Sequence, residues 1–176
     1  MTWKSHIAIA SAVTLPINPA MLPLATVGAT APDWIEYILK FFGVIVKHRG
    51  ATHYLYIPIL IMITSILFKS DLIFWFGLGY FTHWFADSLT ISGVPISQFD
   101  NHRVHFFGGK IRTGEPLEYI IAFGFLAVSV MLVKPSLNIL ENSENVFNAY
   151  YIDHKKLYEK KIIDEKTMIE NRFKLF

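Results

Sequence analysis

Four apolar runs, each bordered or interrupted by ionisable side chains, constrain this chain more than any other feature. They cover residues 7–31, 54–68, 72–89 and 117–133. With 53% of 176 residues hydrophobic and 17% charged, the chain carries more apolar surface than one small domain can hide. Ordinary soluble domains are roughly 25% charged. The pattern predicts an all-α fold, a polytopic membrane helical bundle, with room for little beyond one domain.

The first run has the apolar core of a signal peptide, but no small-residue cleavage site precedes polar sequence, so it reads as retained. Pro16, Pro19 and Pro23 interrupt it. A proline inside a helix removes a donor and clashes with the preceding turn. Two short helices, over 7–15 and 20–31, are therefore expected around a break. Neither reaches the roughly 20 residues that a crossing needs. Folded back as a Pro-broken hairpin, they would return Asp33 to the side where His6 began, and 37–46 would follow as a separate interfacial piece. The later runs are also short for crossing helices, which leaves tilt, local thinning or partial crossing open.

The remaining composition excludes several chemistries. With no cysteine, disulfides, thiolate zinc sites and thiol catalysis are impossible, and seven histidines are the only side-chain nitrogen ligands. A net charge of +2 is too small to suggest nucleic acid as a partner. Residues 1–135 read as a membrane-embedded domain and 136–176 as a charged tail. In that tail Phe147, Tyr150, Tyr151, Leu157, Tyr158 and Ile162 recur at helical spacing, which predicts a C-terminal amphipathic helix.

Polar groups stand where an apolar bundle has no use for them. The stretch 47–54 brings His48, Arg49, Thr52 and His53 to the mouth of an apolar run, and ionisable groups near a bilayer are costly unless they bind or react. His83 and Asp87 lie inside another run, four residues apart and so on one helix face. Asp33 and Glu36 close the first run. If 54–68 goes across and 72–89 returns, all these groups reach one side of the membrane. Lys40, Lys47, Arg49, Arg103, Lys110 and Arg112 share that side, and the positive-inside tendency turns it toward the cytoplasm. Imidazoles and carboxylates gathered in a cavity suit a divalent ion, zinc foremost, and an open coordination position lets such an ion activate water. An ion or proton path, or a metal- or haem-binding assembly factor without catalysis, fits the same residue types.

Several motifs together resemble a known family. Pro32-Asp33 after an apolar hairpin, His48-Arg49-Gly50-x-Thr52-His53, Gly79-Tyr80-x-x-His83-x-x-x-Asp87 with Thr90 and Gly93, and Thr113-Gly114-x-x-x-Glu118 are similar to the YdjM-type family over residues 1–133. Those proteins are described as predicted membrane-bound metal-dependent hydrolases, distantly similar to the zinc-dependent phospholipase C and single-strand nuclease superfamily. The resemblance implies metal ligation by His6, Asp33, His48, His53, His83 and Asp87. Asp33 or Glu36 would orient a water, Arg49 would hold a phosphate, and the substrate would be a phosphoester or phospholipid reached at the interface. It also implies an integral protein of a bacterial or archaeal cytoplasmic (inner) membrane. Trp3 echoes the superfamily's N-terminal tryptophan but is not the first residue. The chain departs from the family pattern in placing its second acidic residue at Glu36 and in carrying Tyr54 where a serine commonly follows Thr-His.

Overall fold

Prolines shape the first turn. A computed structural model describes residues 1–99, 102–133, 161 and 164–166. In it α1 (Trp3–Thr14) ends before Pro16, Pro19–Met21 forms a single 3-10 turn, and α2 (Leu22–Phe41) starts with Pro23 in its first turn. Proline is tolerated there because the first helical N–H groups have no intrahelical acceptor. The two helices pack on one another, so the chain folds back as a hairpin.

α2 then departs from expectation. It runs through Pro32 to Phe41, so 37–46 is not a separate element. Pro32 denies the Gly28 carbonyl its intrahelical donor, but packing outweighs that loss. Ala25, Gly28, Ala29, Ala31, Pro32, Asp33 and Glu36 form the buried face of α2, and that face lies against α4 (Asp71–Ser88).

α3 (Tyr56–Phe68) and α4 form the next hairpin. Lys69 adopts a left-handed conformation at φ 50°, and Ser70 Oγ accepts from the Ile73 amide to cap α4. Small residues then let the helices approach closely. A Cβ at Gly79 would lie 2.0 Å from the Ala25 carbonyl oxygen, and one at Gly28 would lie 2.1 Å from that of Phe76. α2 and α4 thus touch backbone to backbone. After α4, Val94–Pro95 (β1) pairs antiparallel with Arg103–Val104 (β2), in the register Val94 to Val104. α5 (Pro116–Val133) packs along α1, where Ser129 Oγ donates to the Ala12 carbonyl at 2.7 Å.

The helical class is as expected, but the crossing helices are not. Among the described residues, no helix is long and apolar enough to cross a membrane. α3 has 13 residues, about 20 Å at 1.5 Å per residue. α2 has 20 but carries Asp33, Glu36 and Lys40 in its last turns. The chain divides into two compact units, Met1–Val133 and Lys134–Phe176, and the fold above is that of the first. The amphipathic helix expected in the tail lies outside the described residues, save for 161 and 164–166.

Candidate metal centre

The close contact of α2 and α4 sets the first candidate ligand. One turn beyond Gly79, His83 Nδ1 lies 2.7 Å from the Ala29 carbonyl oxygen. A carbonyl can only accept, so Nδ1 carries the proton and Nε2 keeps its lone pair. His53 arrives from a 3-10 turn, Ala51–His53, anchored by the Tyr80 hydroxyl, which donates to the Thr52 carbonyl. Burial, then the Asp33 charge, pushes the Tyr80 pKa up, so that hydroxyl remains a donor. His53 Nδ1 lies 2.9 Å from the Thr52 hydroxyl, and its Nε2 faces His83 Nε2 at 3.1 Å.

Two carboxylates complete the cluster. Asp33 Oδ1 is 3.5 Å from His53 Nε2 and 4.0 Å from His83 Nε2, while Asp87 Oδ2 is 3.9 Å and 3.6 Å from the same atoms. All four side chains are buried. Burial raises the Asp33 pKa, but the His53 hydrogen bond and the charges of His83 and His6 outweigh it and pull the pKa down to about 2. Burial, reinforced by the His6 charge, holds His83 well below the usual imidazole value. Asp87 is likewise held well below the usual carboxylate value, its burial outweighed by the His6 hydrogen bond and the His6 and His83 charges. The neutral imidazole and ionised carboxylates are the forms that bind a cation.

The donor set fits such an ion. His83 presents a lone pair, and His53 meets it either with a proton or with a second lone pair that only a cation can bridge. Two ligands of a tetrahedral zinc-like ion at about 2.0–2.1 Å stand about 3.3 Å apart, close to the 3.1 Å observed. The Nδ1 contacts to Ala29 and Thr52 are of the kind that orients imidazoles in metal sites.

The other expected residues divide. His6 is brought in: it is buried, its ring stacks on His83 with centroids 3.7 Å apart, and its Nε2 is 3.5 Å from Asp87 Oδ1. His48, expected as a ligand, is not. Its side chain is 67% exposed and its Nδ1 lies 3.1 Å from Glu36 Oε2, outside the cluster. Glu36, expected to orient a water, is instead held between His48 and Lys40, whose Nζ donates to Oε1 at 2.5 Å. Arg49, expected to hold a phosphate, is buried and already engaged. Its Nη2 is 3.0 Å from Asp87 Oδ1, and its Nη1 donates to Thr90 Oγ1 at 2.8 Å and the Gly93 carbonyl at 3.3 Å. A left-handed φ of 54° at Arg49 turns the loop so that these contacts form.

Two further contributors are not among the site residues expected from the sequence. The Met1 amine pairs with Asp87 Oδ1, whereas Trp3 is half exposed and packs edge-on against Tyr37. Glu118 is fully buried. It accepts from the Thr2 amide at 2.6 Å, the Thr2 hydroxyl at 2.8 Å and the Gly114 amide at 2.7 Å, and so ties α5 to the start of α1. A lone glutamate opening an apolar run was the visible signal.

These features define a helical protein with a buried His/Asp centre formed where α1, α2, α4 and the 47–54 loop meet. A family model narrows that class: residues 1–136 match the YdjM inner membrane protein model, and the chain belongs to that family. This agrees with the expected inner-membrane localisation. No curated protein and no solved structure matches the chain.

Proposed function

We propose that this protein is a membrane-bound metal-dependent hydrolase acting on the phosphoester of a lipid. One observation carries the reading: two imidazole nitrogens face each other at 3.1 Å in a buried site, with two carboxylates within 4.0 Å. Asp33, His53, His83 and Asp87 would hold a divalent ion, and a bound ion of this kind supplies Lewis acidity and lowers the pKa of a water beside it. Arg49 orients Asp87 and offsets its charge. His48 and Lys40 stand on the exposed side of Glu36, next to the cluster through the 6.0 Å His48–His53 ring contact, and are the groups suited to meet an approaching phosphate. Exposed apolar faces on α3 and α5 would seat the domain in the bilayer and bring a lipid headgroup within reach.

A non-catalytic reading draws on a different observation. The four candidate ligands are all buried, as in a closed structural site. A haem between His53 and His83 is not compatible with their geometry, because a porphyrin does not fit between nitrogens 3.1 Å apart. Elemental analysis of detergent-purified protein, beside assays on phosphodiester, phosphomonoester and phospholipid substrates, separates the readings. The hydrolase reading expects bound metal and turnover, both lost in His83→Ala and Asp87→Ala. Folded, metal-replete protein inert toward the whole panel would favour a structural ion. Folded protein that takes up no divalent metal would end both.

A further inference from the structure

Distance alone admits two overlapping ligand groups: Asp33, His53 and His83, or His6, His83 and Asp87. Ring orientation separates them. The His6 and His83 rings lie face to face, with centroids 3.7 Å apart and planes inclined by only 11°. An imidazole nitrogen binds through a lone pair in the plane of its ring. Planes stacked at van der Waals contact are about 3.5 Å apart, whereas metal–nitrogen bonds are about 2.0–2.1 Å. No point within bonding reach of both rings lies in both planes. His6 and His83 therefore cannot ligate one ion together. His53 is different: its ring is inclined by 62° to His83, and the two Nε2 atoms converge.

A second ion, held by His6 and the far oxygen of Asp87, meets another obstacle. Asp87 Oδ1 already receives the Arg49 guanidinium at 3.0 Å and the Met1 amine. Those cationic groups occupy the position a second cation would take. His83 cannot serve two ions either, since its Nδ1 is spent on the Ala29 carbonyl. His6 Nε2 stands 3.5 Å from Asp87 Oδ1, and that oxygen is already saturated by positive charge.

We infer that the cluster holds a single ion, bound by Asp33, His53, His83 and Asp87, and that His6 stands outside its coordination sphere as the platform that fixes the His83 ring plane. This rests on the metal reading above and goes beyond it in stoichiometry and in the role of His6, which is a positioning residue. Its test reads ligands, not turnover. Zinc K-edge absorption on the zinc-loaded, detergent-purified wild type counts imidazole ligands, and titration gives the equivalents bound. One equivalent with two imidazoles is expected. His6→Phe, which keeps an aromatic face, retains the stoichiometry and the imidazole count. His6→Ala, which removes the platform, weakens zinc binding about 10–100-fold at unchanged stoichiometry. Three imidazoles on one zinc, or two equivalents falling to one in His6→Phe, would overturn the proposal. The wild-type measurements decide even where a variant does not fold. Wild type that binds no zinc or other divalent ion would instead remove the metal reading itself, and this inference with it.

Discussion

At the scale of the residue, Asp87 is where most constraints meet, because it faces both imidazoles, the guanidinium and the Met1 amine. Removing one partner of a buried ion pair typically costs about 3–5 kcal/mol, because the other charge is left unpaired. Arg49→Met should lower stability on that order, as read by denaturant unfolding in detergent micelles. Arg49→Lys should recover only part of the loss, since a point ammonium cannot reach Asp87, Thr90 and Gly93 together. A second expectation concerns pH. His6 and His83 are both held below the ordinary value of 6.5, burial being the largest cause for each. The unfolded chain therefore binds more protons than the folded one just below pH 6.5, and stability falls as the pH falls through that window. Metal-free protein should melt at steadily lower temperature from pH 7 to 5, and a flat profile would contradict the burial of these rings. The pairing of His83 with Asp87 was legible in their four-residue spacing. Which of His48 and His53 turns inward was not, because that depends on the left-handed backbone of Arg49 between them, and nothing in a two-histidine spacing encodes it.

At the scale of the element, the contact of α2 with α4 is what aims His83. Gly79 stood out in the sequence, but a glycine does not name the surface that approaches it. The structure does: the Ala25 carbonyl lies where a Gly79 Cβ would be. Gly79→Ala should push the helices apart, at about 1–3 kcal/mol or more, and lengthen the His83–Ala29 hydrogen bond one turn away. Zinc affinity should then drop although no ligand has changed. Unaltered affinity and stability would mean that the helices adjust freely and that the backbone contact does not position the site. The same contact explains why α2 runs on past residue 31. Pro32 is a sound stop signal for a lone helix, yet the buried face, small residues before it and Asp33 and Glu36 after it, carries the helix on to Phe41.

At the scale of the whole molecule, the apolar excess was legible, but the way it is accommodated was not. Hydropathy suggests a polytopic membrane bundle whose apolar runs are short for full crossings. In the folded domain they are helices of 12 to 20 residues gathered round a polar centre, and their outer faces remain apolar. Ile66, Leu67 and Phe68 at the end of α3 are each 74% exposed, and Met131 and Leu132 at the end of α5 are about as open. Exposed apolar area on this scale marks a surface that something covers, and membership of an inner membrane family points to lipid. The absence of cysteine makes this directly measurable, since any single cysteine introduced is unique. In membranes, Leu67→Cys and Leu132→Cys should react slowly with a water-soluble maleimide, because the thiol lies in hydrocarbon where thiolate does not form. Arg112→Cys, at a side chain 72% exposed beside Glu115, should react quickly. In denaturing detergent all three should react alike. Equal rates in intact membranes would mean that the open faces of α3 and α5 are wet. The domain would then have to be held at the membrane by something other than these helices, and the route proposed for a lipid substrate to the His/Asp centre would lose its basis.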